Sequence, residues 1–163
     1  MGVDILVNRI HIFIMALSSL MDKDLVLLKT KSSSKEELIL QLLTKVYDAG
    51  RGPPFPLNEV LGRIAMREEI GGTLLPSGLS VPHARLRGYE DFVLAMGTPE
   101  EPIIQNNIQI KLMSLMISSQ SGGVHYLPTL AALTKLSRDR AYFSRLCSTE
   151  GAEDFIQIIR ERD

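Results

Sequence analysis

The segment IQIKLMSLMIS, residues 108–118, is the feature of this sequence that most constrains the fold. Its apolar and polar residues alternate at first, and the run then becomes continuously apolar. This pattern is typical of a strand in the middle of a sheet, covered on both faces. Such a strand needs further strands beside it and helices packed over it. With 163 residues, the chain is long enough to build one domain of this kind.

Other segments supply those strands and helices. Strands are predicted over 25–29, 79–81 and 91–98, and helices over 32–50, about 57–69, 125–136, 138–147 and 151–162. Ser34 and Glu37 form a capping box at the start of the first helix, and Gly50 ends it. The second helix is expected to turn four apolar residues inward: Val60, Leu61, Ile64 and Ala65. The sequence therefore predicts a single, mixed α/β domain.

Composition excludes several classes of function. The formal net charge of −1 gives no reason to expect nucleic acid or an anionic membrane as the main partner. The single cysteine, Cys147, rules out an internal disulfide and a multi-cysteine metal site, and it suits a reducing cytoplasm. We expect it to be a half-buried helix residue. No segment approaches the roughly 20 apolar residues of a transmembrane helix, so direct membrane insertion is not expected.

The N-terminal run ILVNRIHIFIMAL, residues 5–17, has some features of a signal peptide. Asp4 and His11 weaken its apolar character, and no clear small-residue cleavage site follows. The alternatives are an extra strand or helix packed on the domain, or a true start at Met15. We therefore expect residues 1–14 to be an N-terminal extension and residues 15–163 to form a cytoplasmic domain.

The stretch GLSVPHARL, residues 78–86, carries the main candidate for chemistry, His83. Pro82 has a fixed φ, and it biases Val81 towards an extended conformation. A strand that leads into this proline would present the imidazole at a sheet edge in a defined direction. Imidazole is nucleophilic near neutral pH, and it can carry a phosphoryl group or act as an acid or base.

Three further residues suit a phosphate group beside His83. Arg67 closes a helix, Thr73 lies in a glycine-containing loop, and His125 opens another helix after two glycines. Arginine side chains and helix N-termini both bind phosphate dianions well. Each residue also has a structural alternative, namely a solvated helix end, a turn residue and a helix cap.

The stretch REEIGGTLLPSGLSVPHARL, residues 67–86, resembles the phosphorylation-site signature of the enzyme IIA domains of the phosphoenolpyruvate-dependent sugar phosphotransferase system. The resemblance is to the fructose–mannitol class, which includes the nitrogen-regulatory enzyme IIA proteins. The matching residues are Arg67-Glu68, Thr73, Gly78 and Ser80-Val81-Pro82-His83-Ala84-Arg85. The later stretch HYLPTLAALTKL, residues 125–136, resembles the family's second histidine and the Leu-rich helix that it opens. The similarity extends over about residues 17–160.

The resemblance implies a mixed, mostly five-stranded sheet flanked by helices. It implies that His83 is the phosphorylated residue, with Arg67 and His125 as catalytic partners and Thr73, Arg67 and Arg85 as phosphate-binding residues. The donor would be a histidine-containing phosphocarrier protein, so no cofactor is expected. The acceptor would be a IIB domain or a regulatory target. The nitrogen-regulatory type is slightly favoured, because this chain carries no IIB or IIC segment.

Four leucines near the signature offer an apolar rim on which a phosphocarrier protein could dock: Leu74, Leu75, Leu79 and Leu86. Packing in the core is the alternative for each of them. Residues 74–77 read Leu-Leu-Pro-Ser where the family usually has Gly-Ile-Gly-Asn, and Ser80 replaces a common Ala. This altered loop keeps open a second function, a non-catalytic regulatory module that retains the fold. A metal site made by His83 and His125 is a third hypothesis, but it has no carboxylate or thiolate spaced to join it.

Overall fold

A computed structural model describes residues 16–163 of the chain. The predicted N-terminal extension, residues 1–14, lies outside the described residues. The helices are α1 (Lys35–Asp48), α2 (Leu57–Glu69), α3 (Tyr126–Arg138), α4 (Arg140–Cys147) and α5 (Ala152–Arg160). The strands are β1 (Val26–Thr30), β2 (Leu79–Ser80), β3 (His83–Leu86), β4 (Val93–Pro99), β5 (Ile103–Gln105), β6 (Ile108–Ile110) and β7 (Leu112–Ser119). Two short 3₁₀ helices, Leu17–Leu20 and Lys23–Leu25, precede β1.

The main sheet has five strands. Four follow the order β1-β4-β7-β2, and the fifth, β3, pairs with β7 further along the same edge as β2. Strand β4 runs antiparallel to β7, whereas β2 and β3 run parallel to it. Strand β1 is parallel to β4. The mixed, five-stranded sheet flanked by helices is therefore confirmed. Strand β7 holds the central place that its apolar sequence predicts.

Helices cover both faces of this sheet. On one face, α1 and α2 pack on alternate residues of β7, Met113, Leu115 and Ile117. On the other face, α3, α4 and α5 pack on the intervening residues Leu112 and Met116. Both groups of residues are buried because a central strand contributes one side chain to each core in turn. Within residues 16–163, no helix combines the length and apolar character needed to cross a bilayer.

The first two helices follow the sequence patterns closely. The Ser34 hydroxyl accepts a hydrogen bond from the Glu37 backbone N–H at 3.1 Å, as expected of an N-cap residue. The Glu37 carboxylate bonds to Ser33 rather than back to Ser34, so only half of the capping box forms. In α2, Val60 and Ile64 are buried. Ala65 is exposed, so its predicted inward orientation is wrong.

The segment 108–118 is divided between two strands rather than forming one. Residues Ile108–Ile110 pair antiparallel with β5 in a separate two-stranded sheet. Asn106 and Asn107 link β5 and β6 with φ values of 51° and 63°, the left-handed conformation that two-residue hairpin turns require. Asparagine adopts this conformation more readily than most residues, so the Asn-Asn pair was the signal for the hairpin that the sequence analysis missed.

Candidate functional site

His83 is the first residue of β3, directly after a proline that interrupts the edge of the sheet. Strands β2 and β3 lie end to end along β7, and Pro82 separates them. The Met116 backbone N–H donates to the Pro82 carbonyl at 3.0 Å, and this hydrogen bond keeps the edge attached to β7 across the interruption. Among the strands of residues 16–163, β3 pairs with β7 alone, which makes it an edge strand. His83 is in register with Met116.

The imidazole of His83 is only 6% exposed and is held by contacts from two elements. Its Nε2 atom lies 2.8 Å from the hydroxyl oxygen of Ser118 on β7. The ring of Tyr126, the first residue of α3, stacks on it with centroids 4.3 Å apart and planes inclined by 12°. One edge and one face of the imidazole are therefore covered by the protein.

The hydrogen bonds of Ser118 favour one tautomer of His83. The Ser118 hydroxyl lies 3.0 Å from the carbonyl oxygen of Ser119, to which it can only donate. A hydroxyl has a single hydrogen, so it is then an acceptor towards His83. This pattern puts the imidazole hydrogen on Nε2 and leaves the lone pair on the other ring nitrogen.

The environment of His83 disfavours a positive charge. Burial is the main cause, and the nearby Arg85 and Arg67 guanidinium groups add to it; together they lower the pKa of His83 to about 4. The imidazole is therefore neutral at pH 7. A neutral imidazole retains the lone pair that a nucleophile needs.

The same pKa predicts how stability depends on pH. In the unfolded chain the pKa of a histidine is about 6.5, so between about pH 6.5 and about pH 4 the unfolded state binds a proton that the folded state does not. The free energy of unfolding therefore falls as the pH falls through this range. At about 1.4 kcal/mol for each pH unit, the His83 contribution is about 3 kcal/mol.

Urea unfolding across this pH range checks the prediction, with His83→Gln as the control. Glutamine does not titrate, so the variant should lose about 3 kcal/mol less than the wild type does. Parallel stability curves for the two proteins would contradict it.

A cavity of about 770 Å³ opens beside His83, and both Arg67 and Arg85 line it. Arg67 lies in the last turn of α2, and its guanidinium donates to the Gly71 carbonyl at 3.0 Å. Arg85 is on the same face of β3 as His83, and its guanidinium carbon lies 4.7 Å from the centre of the Tyr126 ring. The structure thus brings two exposed arginines to one buried, neutral histidine.

A buried ion pair anchors the end of α2 that carries Arg67. Lys35 Nζ lies 2.6 Å from Glu68 Oε2, and the two side chains are 8% and 9% exposed. Lys35 begins α1, so the pair joins the start of α1 to the end of α2. Glu68, which follows Arg67 in the signature, therefore has a structural role next to the site.

The loop from residue 71 to residue 78 is tied to the sheet by its backbone. Thr73 donates its hydroxyl hydrogen to the Val81 carbonyl, and its own carbonyl accepts from the Val81 N–H at 2.8 Å. The single hydroxyl hydrogen of Thr73 is therefore used within the protein. These bonds hold the approach to Pro82 and His83, and a phosphate-binding role for Thr73 stays a prediction. Gly78 has a φ of +96°, and a Cβ there would lie 2.5 Å from the Gln109 carbonyl oxygen, so this position requires glycine.

His125 is the N-cap residue of α3, as the sequence predicts, and its side chain is half-buried. Its ring lies 5.5 Å from that of Phe92, with the planes inclined by 45°. The next residue, Tyr126, is the one whose ring stacks on His83. Both residues thus come from the same turn, which follows Gly122, Gly123 and Val124.

The predicted docking rim of four leucines needs correction. Leu79 is fully buried and Leu86 is 2% exposed, because each points from an edge strand into one of the two cores. Neither can contact a partner. Leu74 and Leu75 are half-buried against these cores. The exposed apolar side chains near the cavity are instead Met66 and Ile70, which are 68% and 80% exposed and line it.

Sequence reasoning missed the two residues that touch the His83 ring. Ser118 lies in an apolar run that predicts only a strand, although strand alternation puts it on the same face as Met116, the register partner of His83. The sequence around Tyr126 predicts only a helix. Its position directly after a candidate histidine and a pair of glycines was the available signal.

Comparison with known proteins supports the expectation drawn from the signature. The family described as "Phosphoenolpyruvate-dependent sugar phosphotransferase system, EIIA 2" matches residues 19–162. The fold and the match therefore define a domain that acts in phosphoryl transfer. The chain belongs to this family and is an enzyme IIA domain of the phosphotransferase system.

Individual relatives fall into two groups by length. The chain is 27% identical over 154 residues to a nitrogen regulatory protein of Escherichia coli K12, covering 90% of this chain and 91% of that protein. It is 25% identical over 153 residues to the E. coli K12 "PTS system 2-O-alpha-mannosyl-D-glycerate-specific EIIABC component". That match covers 91% of this chain but spans only 23% of the relative.

Solved structures show the same fold. Nitrogen regulatory protein IIA-Ntr from Neisseria meningitidis matches with a TM-score of 0.72 and 18% identity, over 89% of this chain and 99% of that one. A structure of E. coli enzyme IIAMTL in complex with phosphorylated enzyme IIBMTL matches with a TM-score of 0.70 and 16% identity, over 87% and 98% of the two chains. At these identities the likeness concerns the fold alone.

Proposed function

We propose that His83 is the phosphoryl acceptor of this enzyme IIA domain. A phosphohistidine carrier protein donates the group. The domain then passes it to a IIB-type domain or uses its phosphorylation state to regulate a target protein. The observation that carries the proposal is a neutral, buried imidazole beside two arginines and an open cavity. The compartment proposed is the cytoplasm, which the single cysteine suits.

The chemistry needs only the groups on the two proteins. The ring nitrogen of His83 that holds the lone pair attacks phosphorus, a new N–P bond forms, and the N–P bond of the donor histidine breaks. The bonding electrons return to the donor imidazole. The hydrogen on the opposite nitrogen of His83 stays in place. Ser118 can continue to accept its hydrogen bond from that nitrogen.

The arginines stabilise the charge on the group in transfer. The three equatorial oxygens of the phosphoryl group carry negative charge in the transition state, and preorganised cations at the site favour it. Arg67 and Arg85 are proposed for this role because both line the cavity beside His83. His125 is proposed as a further donor, since it lies at the N-terminus of α3 next to the residue that covers His83.

Exposed apolar side chains at the end of α2 and at the start of α3 suit a protein partner. Met66 and Ile70 lie at the end of α2, and Val124 and Leu127 flank His125 and Tyr126 at the start of α3. All four side chains are at least 68% exposed. Exposed apolar side chains of this kind mark protein contact sites, and a docked partner would exclude water during transfer. The solved IIAMTL–IIBMTL complex supports a IIB-type protein as the partner.

The regulatory branch is slightly favoured over sugar transport. The nitrogen regulatory relative is matched over 91% of its length, whereas the transport relative is matched over 23%. The similarity to a nitrogen regulatory protein, over 90% of this chain and 91% of that protein, supports regulation as the use of the phosphorylated state.

The proposal is tested by incubating the protein with phosphoenolpyruvate, enzyme I and each candidate carrier protein in turn, followed by intact-mass measurement. We expect a mass increase of one phosphoryl group with at least one carrier. The bond should be acid-labile and alkali-stable, as a phosphoramidate is. No mass increase with any carrier would favour the non-catalytic regulatory module.

Replacing Arg67 by lysine is expected to slow phosphorylation by roughly ten- to a hundredfold. Lysine keeps the charge, but it presents a point charge in place of the planar fork that bonds two phosphate oxygens. A hydrogen bond to a charged group is worth about 1.5–3 kcal/mol, which sets this range. Single-turnover rates with the phosphorylated carrier protein measure the effect.

Arg160→Lys is the matched control for Arg67→Lys. Arg160 is also an exposed arginine in the last turn of a helix, on α5, and its guanidinium bonds to Gln157. We expect its rate to equal that of the wild type. Should Arg67→Lys transfer at the same rate as this control, Arg67 is only a helix-end residue.

A further inference from the structure

Tyr126 makes two contacts within the site that no step of the proposed transfer yet uses. Its ring lies parallel to the imidazole of His83, 4.3 Å away, and covers one face of it. The same ring lies 4.7 Å from the guanidinium carbon of Arg85. A single side chain therefore contacts both the proposed nucleophile and one of the two cations beside it.

These contacts are physically favourable and directional. Aromatic rings stack at such distances, and the negative face of a tyrosine ring attracts a guanidinium group. Because His83 and Arg85 project from the same face of β3, one ring can contact both. The stack opposes rotation of the imidazole about its side-chain bond, while the hydrogen bond to Ser118 holds its edge.

The backbone before α3 is built to place this ring. Gly122 and Gly123 have φ values of 85° and 59°, a conformation that glycine adopts without strain. A Cβ atom on Gly122 would lie 3.1 Å from the Cβ of Tyr126. A side chain at that position would therefore crowd Tyr126 and require its backbone or ring to shift by a few tenths of an ångström.

We propose that Tyr126 is a positioning residue for phosphoryl transfer: its ring fixes the plane of the His83 imidazole and shields the phosphohistidine from water. The proposal rests on the proposed function. Shielding matters because a phosphoryl group on histidine can pass to water instead of to the acceptor protein, and exclusion of water suppresses that side reaction.

Two substitutions separate the aromatic ring from the rest of the side chain. Tyr126→Phe keeps the ring and loses the hydroxyl, whereas Tyr126→Leu keeps an apolar side chain in the helix and loses the ring. We expect the phosphorylated Leu variant to hydrolyse roughly two- to tenfold faster than the wild type, a range equivalent to the free energy of one aromatic pair. The Phe variant should match the wild type. Lys135→Ala, an exposed change on α3, is the surface control.

A second measurement uses the unphosphorylated protein. NMR titration of the His83 ring protons should show its pKa rising towards 6.5 in Tyr126→Leu, because removing the ring lets water reach the imidazole. The pKa in Tyr126→Phe should stay at the wild-type value. If Tyr126 serves only to stabilise the helix, the His83 pKa should be the same in Tyr126→Leu as in the wild type.

The outcomes are distinct. Equal hydrolysis rates and equal His83 pKa values in a folded Leu variant would overturn the proposal. If no form of the protein accepts a phosphoryl group, the proposed function fails, while the titration alone still decides whether Tyr126 positions and shields the ring. Circular dichroism and thermal unfolding establish that each variant is folded.

Discussion

His83→Ala is expected to abolish phosphorylation. The variant lacks the only atom that the proposed mechanism uses as a nucleophile, and the arginines beside it cannot form the N–P bond. Intact-mass measurement after incubation with phosphoenolpyruvate, enzyme I and the active carrier should show the unmodified mass. The wild type, under the same conditions, should show one added phosphoryl group that is lost in mild acid.

The folded state of the variant must be checked, and the structure indicates that it survives. His83 is neutral and buried, and its alanine variant leaves the Ser118 hydroxyl bonded to the Ser119 carbonyl. His83→Gln provides a second variant that keeps a polar side chain near Ser118. A phosphoryl group that persists in either folded variant would show that another residue is the acceptor.

Lys35→Met is expected to destabilise the protein by about 3–5 kcal/mol, the usual effect of removing one partner from a buried ion pair. The Glu68 carboxylate would remain buried without its cation. The contact between Lys35 and Glu68 is 2.6 Å, and both side chains are almost inaccessible to water. The free energy of unfolding in urea measures the loss.

A double variant separates the charge from the packing. Lys35→Met combined with Glu68→Leu removes both charges and should recover much of the lost stability, because a buried apolar pair is often as stable as the ion pair. Lys23→Met is the control. Lys23 pairs with Glu153 at 3.6 Å on the surface, where the side chains are 63% and 83% exposed, so the change in stability should be far smaller. Equal losses for Lys23→Met and Lys35→Met would contradict the prediction.

The ion pair between Lys35 and Glu68 also positions a residue of the site, Arg67. Glu68 follows Arg67, so the ion pair fixes the last turn of α2, from which Arg67 reaches the cavity. Loss of the pair is therefore expected to affect transfer as well as stability. The double variant restores the packing at this place without the two charges. A transfer rate that recovers together with stability would show that the pair acts on transfer by positioning Arg67.

Much of the fold could be predicted because its signals are local. The apolar run of β7, the N-cap at Ser34 and the periodicity of α2 each depend on nearby residues. The β5–β6 hairpin was missed because its strands are short and its turn is an Asn-Asn pair without glycine. Ala65 was misplaced because a small residue contributes little to the apolar periodicity of a helix.

The candidate site was predictable only in part. The proline-histidine sequence and its neighbouring arginines are adjacent or close in the chain, so sequence alone singles them out. Burial of Leu79 and Leu86 depends on which strands lie beside them, and sequence does not state that. The contacts of Ser118 and Tyr126 with His83 join residues that are far apart in the chain, so only the folded structure identifies them.

The burial of His83 also decides how its phosphorylation would depend on pH. An exposed imidazole changes its charge between about pH 6 and 7, so its readiness to accept a phosphoryl group would vary with the acidity around it. The His83 ring, with its pKa lowered to about 4, stays uncharged through that interval. On the proposed function, the extent of its modification then follows the supply of phosphorylated carrier and ignores modest acidification.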